Sequence, residues 1–301
     1  MGYSCDISFI TINYNGIVDT CELIDSIKSQ VKHVSYEIIV TDNASKNDEG
    51  KRIREKYPDV QVICSEKNLG FAGGNNIAIP QAGGRYLMFI NNDTIIEEDH
   101  FDQLIARIES KKTIGMVCPK LRFAWGTRPI QFAGFTPLSK ITLRNSGIGY
   151  GEEDKGQHDT AHPTPFAHGA AMMIKRDALE KAKPMWEGYF LYYEEMDWSE
   201  CINRAGYEIW YEPACTIFHK ESKAVGIGSP TKTYYLTRNR LIFAKRNRKS
   251  VTRYLCYAYL TIIALGLHIP KFLCKGKTKH ANSVWQGLKD FYLSNYALDS
   301  I

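Results

Sequence analysis

The feature that most restricts the fold of this chain is an alternation of apolar and helical segments through its first 120 residues. Short runs rich in β-branched residues, typical of buried strands, occur at 7–12, 37–41, 60–63, 85–90 and 114–119. Segments with a helical spacing of apolar residues separate them, at 18–31, 45–57, 71–80 and 97–110. This order predicts an α/β fold with a mainly parallel, doubly wound sheet, whose ligands bind beyond the carboxyl ends of the strands.

The pattern weakens after residue 124. The segment 125–165 contains several Gly and Pro residues, and we expect a long loop region, with room for a hairpin, that lies over the site. Further on, the pattern predicts strands at 170–174, 208–211 and 215–218. It also predicts helices at 177–183 and 194–205, the second with Gly206 as its C-cap.

The cysteines and the N-terminus both favour the cytoplasm. Eight cysteines are scattered over 301 residues and none forms a Cys-x-x-Cys pair, so neither a zinc ribbon nor a thioredoxin-like site is expected. A chain of this length does not need disulfides to hold its core, and reduced thiols are the simpler interpretation. Residues 1–6 lack the basic and apolar regions of a signal peptide, so we expect none.

Positive charge is concentrated in the C-terminal part of the chain. Between Ser222 and Lys289 there are fourteen Lys and Arg residues and no Asp or Glu. All 33 acidic residues therefore lie elsewhere, where they outnumber the basic ones. Such a separation indicates an anionic partner, either nucleic acid or an anionic membrane surface. No nucleic-acid-binding motif accompanies the charge, so we expect the membrane surface and no nucleic acid.

An apolar run at 254–269 lies inside this basic stretch. Its 16 residues are fewer than the roughly 20 that span a bilayer, which favours an aromatic, apolar helix lying in the membrane interface. Basic residues on both sides suit an anionic lipid face. The alternative is a buried core helix with solvated basic flanks. We expect residues 222–301 to form a basic, helical, membrane-associating region after a catalytic domain at 1–221.

Two polar turns follow predicted strands. Asn91-Asn92-Asp93-Thr94 follows the strand at 85–90, and a carboxylate there can hold Mg²⁺ or Mn²⁺ against a substrate phosphate. Thr41-Asp42-Asn43-Ala44-Ser45 follows the strand at 37–41, where Asp42 can accept hydrogen bonds from a base or ribose and Ser45 is a good N-cap. Asn, Asp and Ser are also common in simple turns, so neither motif decides the function alone.

A glycine-rich turn and a histidine are weaker signals. Asn68-Leu69-Gly70-Phe71-Ala72-Gly73-Gly74-Asn75-Asn76 enters a helix, and such a turn lets the backbone approach a phosphate. It matches neither Gly-x-Gly-x-x-Gly nor a P-loop. His219 ends a predicted strand, where it is either a structural residue or a metal ligand.

Three carboxylates open the helix at 194–205. Glu194, Glu195 and Asp197 occupy three of four positions beside aromatic residues, which exceeds what the helix dipole requires. One of them is therefore a candidate general base. Asp197 lies on the same helix face as Glu194, whereas Glu195 points elsewhere, so the three do not share one role.

Taken in order, these motifs resemble glycosyltransferase family 2, which has the GT-A fold, over residues 6–247. The most similar subgroup is the rhamnosyltransferase-like set that builds bacterial surface polysaccharides. The ordered motifs are Thr11-Ile12-Asn13-Tyr14-Asn15, Asp42-Asn43-Ala44-Ser45, Asn68-Leu69-Gly70-Phe71-Ala72-Gly73-Gly74-Asn75, Asn91-Asn92-Asp93-Thr94, His168-Gly169-Ala170-Ala171-Met172, Glu194-Glu195-Met196-Asp197, Arg204-Ala205-Gly206-Tyr207, His219 and Tyr235-Leu236-Thr237-Arg238-Asn239-Arg240.

The resemblance implies a role for each position. Asp93 is implied to bind the metal, with His219 completing the metal or diphosphate site. Glu195 matches the family's catalytic base, with Glu194 and Asp197 as fallback candidates. The residues implied to bind the nucleotide are Thr11, Asn13, Asp42, Asn68, Gly70, Asn75, Asn92 and Arg238, the last near the diphosphate. Two departures are Asn91, where the family's Asp-x-Asp has its first acid, and Glu195, where Asp is commoner.

The resemblance implies a metal-dependent, inverting glycosyltransferase with a Rossmann-like, mainly parallel sheet and a helical C-terminal appendage. One carboxylate deprotonates the acceptor hydroxyl, and positive charge stabilises the departing diphosphate. The expected partners are Mg²⁺ or Mn²⁺, a UDP- or dTDP-linked donor and a glycan or lipid-linked acceptor, at the inner face of the cell membrane. The alternative is a non-catalytic scaffold that binds a nucleotide-sugar or polysaccharide through a decayed site.

Overall fold

One mixed sheet of ten strands forms the centre of the computed structural model, which describes residues 2–221 and 228–294. The strands are β1 (Cys5–Asn13), β2 (Tyr36–Asp42), β3 (Gln61–Cys64), β4 (Gly84–Ile90), β5 (Thr94–Ile95), β6 (Ile114–Phe123), β7 (Ile130–Phe132), β8 (His162–Pro163), β9 (Ala171–Lys175) and β10 (Glu208–His219). Their order across the sheet is β3-β2-β1-β4-β9-β6-β10-β5, with β7 beside β6 and β8 beside β10.

Ten α-helices flank or follow this sheet in the described ranges. They are α1 (Ile17–Gln30), α2 (Glu49–Lys56), α3 (Gly70–Asn76), α4 (Phe101–Glu109), α5 (Arg176–Ala182), α6 (Glu194–Arg204), α7 (Pro230–Asn247), α8 (Ser250–Ile263), α9 (Ile269–Cys274) and α10 (Thr278–Leu293). A π-helical turn, Ala264–His268, joins α8 to α9. The predicted order of strands and helices is therefore confirmed.

The sheet is mostly, but not entirely, parallel. Strands β3, β2, β1 and β4, which are neighbours in that order, run parallel to one another, and β6 and β10 also run parallel. Strand β9 lies between β4 and β6 and is antiparallel to both. Because β9 runs the opposite way, its amino end lies beside the carboxyl end of β4, with Ala171 opposite Ile90. The loop before β9 is thereby placed at the edge where the parallel strands end.

Three local predictions were wrong. The helix predicted from residue 45 begins at Glu49, and Ser45 does not cap it because its hydroxyl accepts hydrogen bonds from Asn13 and from the backbone of Asn15. The helix predicted at 97–110 begins at Phe101. The two strands predicted at 208–211 and 215–218 are one strand, β10, which continues through an irregularity between Glu212 and Thr216.

The long loop region at 125–165 is anchored to the sheet at both ends. It contributes β7 and β8, and its middle is held by the buried Lys120, which pairs with Asp154 at 3.1 Å and with Asp159. The loop brings Gln131 into contact with His219 and Leu143 into the apolar core around α6. This region therefore contacts both His219 and the surroundings of α6.

The C-terminal helices share a second apolar core with the region around α6. This core contains Tyr189, Tyr193, Leu241, Ile242, Phe243, Ala244, Cys256, Leu260, Ala264, Val284, Leu288 and Phe291, together with Leu143. Helices α7 and α10 pack together along their length. The boundary predicted after residue 221 lies beside residues 222–227, which are outside the described ranges.

The predicted 16-residue apolar run is part of a longer helix. Within the described ranges one helical stretch, Ser250–Cys274, is long and apolar enough to cross a membrane by length and composition alone, and a core helix of a soluble protein meets the same test. The expectation that this segment is too short to span is therefore wrong, because α8, the π-turn and α9 are continuous. Its packed side is Cys256, Leu260 and Ala264, whereas Ile262, Leu265 and Leu267 are exposed.

Candidate functional site

Sheet pairing brings the polar turns of the sequence to one edge. Asn13 and Asp42 end adjacent parallel strands and lie opposite each other. The turn after β4 leads directly into β5, which pairs with the end of β10 so that Thr94 lies opposite His219. Residues separated by 126 positions, Asp93 and His219, therefore meet beyond the carboxyl ends of the strands, where ligands of such sheets bind.

Asp93 and His219 form the polar pair at this edge. His219 Nε2 lies 3.1 Å from Asp93 Oδ1, and both side chains are buried. His219 Nδ1 lies 2.8 Å from Gln131 Oε1, so its proton is donated there and Nε2 is the nitrogen that faces Asp93. An outer acceptor that orients a histidine in this way is typical of metal sites.

The donor set fits a divalent cation that shares its coordination with a ligand. A carboxylate oxygen and a neutral imidazole nitrogen suit Mn²⁺, and about 3 Å is the separation of two neighbouring ligands around an octahedral ion. No group of three or more His, Cys, Asp or Glu side chains that could hold a metal occurs within 2–221 and 228–294. Asp93 and His219 alone would therefore leave an ion incompletely coordinated, with positions left for oxygen atoms of a ligand.

His168 lies behind this pair. Its ring centre is 6.4 Å from that of His219, and its Nδ1 accepts a hydrogen bond from the backbone of Ala170. Burial, with a smaller contribution from the charge of His219, lowers the pKa of His168 to about 3. His168 is therefore neutral at physiological pH and adds no positive charge to the site.

Asn13 is fully buried at the centre of a hydrogen-bond network and does not face a ligand directly. Its Nδ2 donates to Asp42 at 2.8 Å, to Glu49 at 2.9 Å and to Ser45 at 3.0 Å. Its Oδ1 accepts from the Thr20 hydroxyl at 2.7 Å. Both N–H donors of Asn13 are used and its side chain is fully buried, so it acts by positioning its neighbours.

Two other predicted nucleotide residues are also turned into the protein. Asn92 donates to the Thr20 hydroxyl at 3.0 Å, which extends the network of Asn13 to the turn after β4. The Thr11 hydroxyl is buried within β1 and has no hydrogen-bond partner in the described residues.

Asp42 lines an open cavity of about 400 Å³ beyond the ends of β2 and β3. Its wall also contains Ser45, Arg54 and Ser65. Gly50 lies at the base, where a Cβ would come within 2.8 Å of both Asp42 and Cys64. The cavity offers carboxylate, hydroxyl and guanidinium groups and is large enough for a nucleoside.

The glycine-rich turn is shaped by asparagine side chains. Asn68 Oδ1 accepts from the backbone of Gly70 at 2.8 Å and from Asn43 at 3.1 Å. Gly70 has φ +70°, and a Cβ there would collide with the carbonyl of Phe190. Asn75 is buried and donates to the carbonyl of Phe71 at 3.1 Å. These residues fit the turn against the Phe190 loop.

The loop before α6 is strained. Phe190, Tyr192 and Tyr193 all have positive φ, at 70°, 68° and 82°, which non-glycine residues rarely adopt. The fully buried Asn239 of α7 holds this loop, because its Nδ2 lies within 3.1 Å of the carbonyls of Tyr189, Leu191 and Tyr192. Strain of this kind persists only where surrounding contacts enforce it.

Arg238 reaches the same loop from α7. Its guanidinium donates to the Tyr189 carbonyl at 2.5 Å and lies 5.0 Å from the ring centre of Tyr235. Its positive charge counteracts the raised pKa of Glu194. Arg238 therefore lies on the α6 side of the site, near Glu194.

The three carboxylates of α6 have different surroundings. Asp197 is buried and pairs with Arg246 at 3.0 Å, and it also accepts from Tyr189 and Asn247. These contacts use its charge to join α6 to α7. Asp197 is therefore occupied in a structural ion pair.

Glu194 and Glu195 have no salt-bridge partner within the described ranges. Glu194 is buried with an unpartnered Oε1, and burial, together with the charge of Glu195, raises its pKa well above 4.5. Glu195 is half-buried, and desolvation raises its pKa as well. Only Glu195 lines a cavity, and a Cβ on Gly169 would lie 3.7 Å from its Cγ. Glu195 thus adjoins the loop that carries His168.

The structure adds residues that the sequence did not single out. Each of Gln131, Thr20 and Asn239 makes a hydrogen bond with a predicted site residue: His219, Asn13 and Arg238, respectively. Gln131 lies in the loop region without periodicity, where no sequence signal marks it. Asn239 belongs to the sequence motif that contains Arg238, and its place in that motif was the signal that could have identified it.

The family comparison covers more than half of the chain. The model for glycosyl transferase family 2 matches residues 8–182. The low-salt glycan biosynthesis hexosyltransferase Agl10 of Haloferax volcanii is 25% identical over 91% of this chain and 87% of its own length. The N-acetylglucosaminyl-diphospho-decaprenol L-rhamnosyltransferase of Mycobacterium tuberculosis is 20% identical over 63% of this chain and 68% of its own.

Two solved structures share the fold. GalNAc-T7 with UDP, GalNAc and Mn²⁺ aligns with a TM-score of 0.61 and 16% identity, over 80% of this chain and 50% of that one. The mannosyltransferase PcManGT of Pyrobaculum calidifontis, with GDP-Man and Mn²⁺, aligns with a TM-score of 0.56 and 16% identity, over 98% and 89%. The mixed, mostly parallel sheet and these matches confirm the predicted GT-A fold.

Proposed function

The chain belongs to glycosyltransferase family 2, and from that premise we propose that it transfers a sugar, with inversion, from a nucleotide-diphosphate donor to a glycan hydroxyl in surface polysaccharide synthesis. One observation carries the proposal. Glu195, a carboxylate without a cationic partner in the described ranges, faces a cavity and adjoins the loop of His168, whose ring lies beside the Asp93–His219 pair. A base and a charge-binding site are thus on neighbouring elements.

Glu195 is the proposed general base. In a single displacement the acceptor hydroxyl attacks the anomeric carbon while Glu195 takes its proton, and the bond to the diphosphate breaks. Desolvation raises the pKa of Glu195, which makes its ionised form a stronger base. Asp197 is already paired with Arg246, and the carboxyl of Glu194 is buried, so neither is as well placed.

Asp93 and His219 are the proposed ligands of Mg²⁺ or Mn²⁺. The bound ion would neutralise charge on the departing diphosphate. Gln131 holds the His219 ring in the orientation that directs Nε2 toward Asp93. With His219 as the second ligand, the proposed metal site does not need a second carboxylate at position 91. Arg238, beside Glu194, is the proposed second source of positive charge. The Mn²⁺ in GalNAc-T7 and PcManGT supports an ion in this fold.

The cavity beside Asp42 is the proposed nucleoside pocket. Asp42 and the hydroxyl of Ser65 can accept hydrogen bonds from a base or ribose. Asn13 and Asn92 contribute through the network that fixes Asp42. A UDP- or dTDP-linked donor fits this set of groups, and the glycine-rich turn lies beside the pocket.

The C-terminal helices are the proposed membrane-binding surface. Ile262, Leu265 and Leu267 are exposed on a helix whose other side is packed, which suits a helix lying in the interface. The basic residues around it suit anionic lipid. In this proposal 1–221 form the catalytic domain, although α7 supplies Arg238, and 222–301 hold the enzyme at the inner face of the membrane near a lipid-linked acceptor.

The direct test is donor hydrolysis by the full-length chain across nucleotide-sugars, with Mg²⁺, with Mn²⁺ and with chelator. We expect turnover with a small set of donors and its loss in chelator. A chain that binds a nucleotide-sugar but hydrolyses and transfers none, with either ion, would instead be a binding scaffold.

A further inference from the structure

A second cavity, of about 540 Å³, lies beside the start of α6. Its walls come from four parts of the chain: Arg144 in the long loop, Tyr193 and Glu195 at the start of α6, Arg240 of α7 and His268 of the π-turn. The candidate base thus faces a space separate from the cavity at Asp42. The size is in the range of small-ligand sites.

This cavity has an excess of positive charge. Arg144 and Arg240 form no salt bridge with any carboxylate in residues 2–221 and 228–294; Arg240 Nε donates to the Tyr193 hydroxyl at 2.6 Å. Burial and the charges of Arg240, Arg144 and Lys271 lower the pKa of His268, which shows that these cations surround the imidazole. Unpaired cations around a partly desolvated space are typical of an anion site.

The backbone at this place is also unusual. His268 ends the π-helical turn Ala264–His268, and such turns are rare and frequent at functional sites. The same helix exposes Ile262, Leu265 and Leu267. An anion held by Arg144 and Arg240 would therefore lie beside an exposed apolar surface. A molecule with a phosphate head and an apolar tail satisfies both features.

We propose that the cavity formed by Arg144, Arg240 and His268 binds the phosphate of a lipid-linked acceptor, placing its sugar hydroxyl toward Glu195. The inference rests on the proposed function, which it deepens by naming the acceptor class. The guanidinium groups pair with the phosphate oxygens, and His268 donates a further hydrogen bond. The apolar tail follows the exposed side of Ser250–Cys274.

The test is calorimetric titration of the full-length protein, in neutral detergent with chelator, with farnesyl diphosphate, farnesol and inorganic pyrophosphate. We expect farnesyl diphosphate to bind, pyrophosphate to bind more weakly and farnesol not to bind detectably. Arg144→Gln and Arg240→Gln should each weaken farnesyl diphosphate at least about tenfold, the usual cost of losing a charge-assisted hydrogen bond. Lys277→Gln, which removes an exposed charge outside the cavity, is the matched control.

Two further measurements distinguish this cavity from the donor site and from a bilayer contact. Asp93→Ala should leave farnesyl diphosphate binding unchanged; loss of binding in that variant alone would place the probe in the donor site and overturn the proposal. The second measurement adds phosphatidylglycerol vesicles. If the vesicles abolish binding of farnesyl diphosphate, and Arg144→Gln weakens vesicle binding as much as it weakens binding of farnesyl diphosphate, then the cluster is a bilayer contact and the proposal is overturned.

Arg144 is exposed, so we expect Arg144→Gln to fold. This variant therefore still tests the proposal if Arg240→Gln unfolds. Donor hydrolysis measured on the same samples tests the proposed function separately. Hydrolysis without probe binding overturns only this inference, and probe binding without hydrolysis counts against only the proposed function.

Discussion

The sheet edge and the start of α6 differ in whether their carboxylates have partners. At the sheet edge the carboxylates are paired: Asn13 donates to Asp42 and Glu49, and Asp93 faces His219, which is held by Gln131. At the start of α6 the carboxyl groups of Glu194 and Glu195 have no salt-bridge partner in the described ranges and have raised pKa values. Both regions contain acids, but in α6 only Asp197 has a cationic partner among the described residues.

The difference matches two chemical tasks. A site that holds a diphosphate needs groups fixed in advance, because reorganisation would cost binding energy. A site that accepts a proton needs a carboxylate that is not committed to a cation, with a pKa raised toward the working pH. Asp197 supports this interpretation from within α6, since its pairing with Arg246 makes it structural. Four predictions separate the two regions further.

The largest expected effect follows from Asp93→Ala. Because Asp93 supplies the carboxylate of the proposed metal site, we expect loss of detectable turnover and of metal-dependent donor binding, measured by calorimetry with Mn²⁺ and with chelator. Asp59→Ala, at an exposed surface position, is the control. If metal-dependent donor affinity is unchanged in Asp93→Ala, Asp93 does not hold the metal and the proposed role of the sheet edge is wrong.

Glu195→Gln should separate the base from the donor site. We expect donor binding to persist and transfer to fall about 10²–10⁴-fold, the usual contribution of a positioned base. Transfer requires ionised Glu195, so the wild-type rate should fall as the pH drops through its pKa, which lies above 4.5. If Glu194→Gln loses transfer while Glu195→Gln does not, the base is the neighbouring residue.

The outer side of the C-terminal helices is tested by replacing Ile262, Leu265 and Leu267 with Gln. Each exposed side chain would bury apolar area in lipid, so we expect binding to anionic vesicles to weaken by about tenfold or more in flotation. Wild-type binding should weaken but persist at high salt, because only its electrostatic part is screened. Val18→Gln, at a 75% exposed apolar position, is the control. Full-length protein that stays unbound at low salt would favour a core or oligomer helix.

The smallest effect is expected from Asn239→Ala. The three carbonyls of the strained loop lose their shared donor, which should lower the free energy of unfolding by about 1–3 kcal/mol and reduce kcat severalfold. Thermal unfolding and transfer kinetics measure both. Asn282→Ala, exposed on α10, should change neither. An unchanged kcat would show that the α6 region does not depend on the strain.

Much of the architecture was predictable because it is encoded locally. Runs of β-branched residues predicted the main strands, and the turns at Asp42 and Asp93 were placed correctly at their ends. The ordered motifs indicated the family, which the comparison confirms. Boundaries were less predictable: Ser45 is a good N-cap by type, yet its hydroxyl is taken by Asn13 from another strand.

The sequence by itself determined which residue types stand at each strand end and at the start of α6, because propensity and periodicity act over a few neighbours. Only the tertiary structure decided which of them meet. The reversed strand β9 brings His168 to the edge, and the pairing of β5 with β10 joins Asp93 to His219. Arg246 on α7 makes Asp197 structural, whereas Glu195 has no cationic partner in the part of the chain that the structure describes. These pairings join positions far apart in the chain, and burial then sets the pKa of each group.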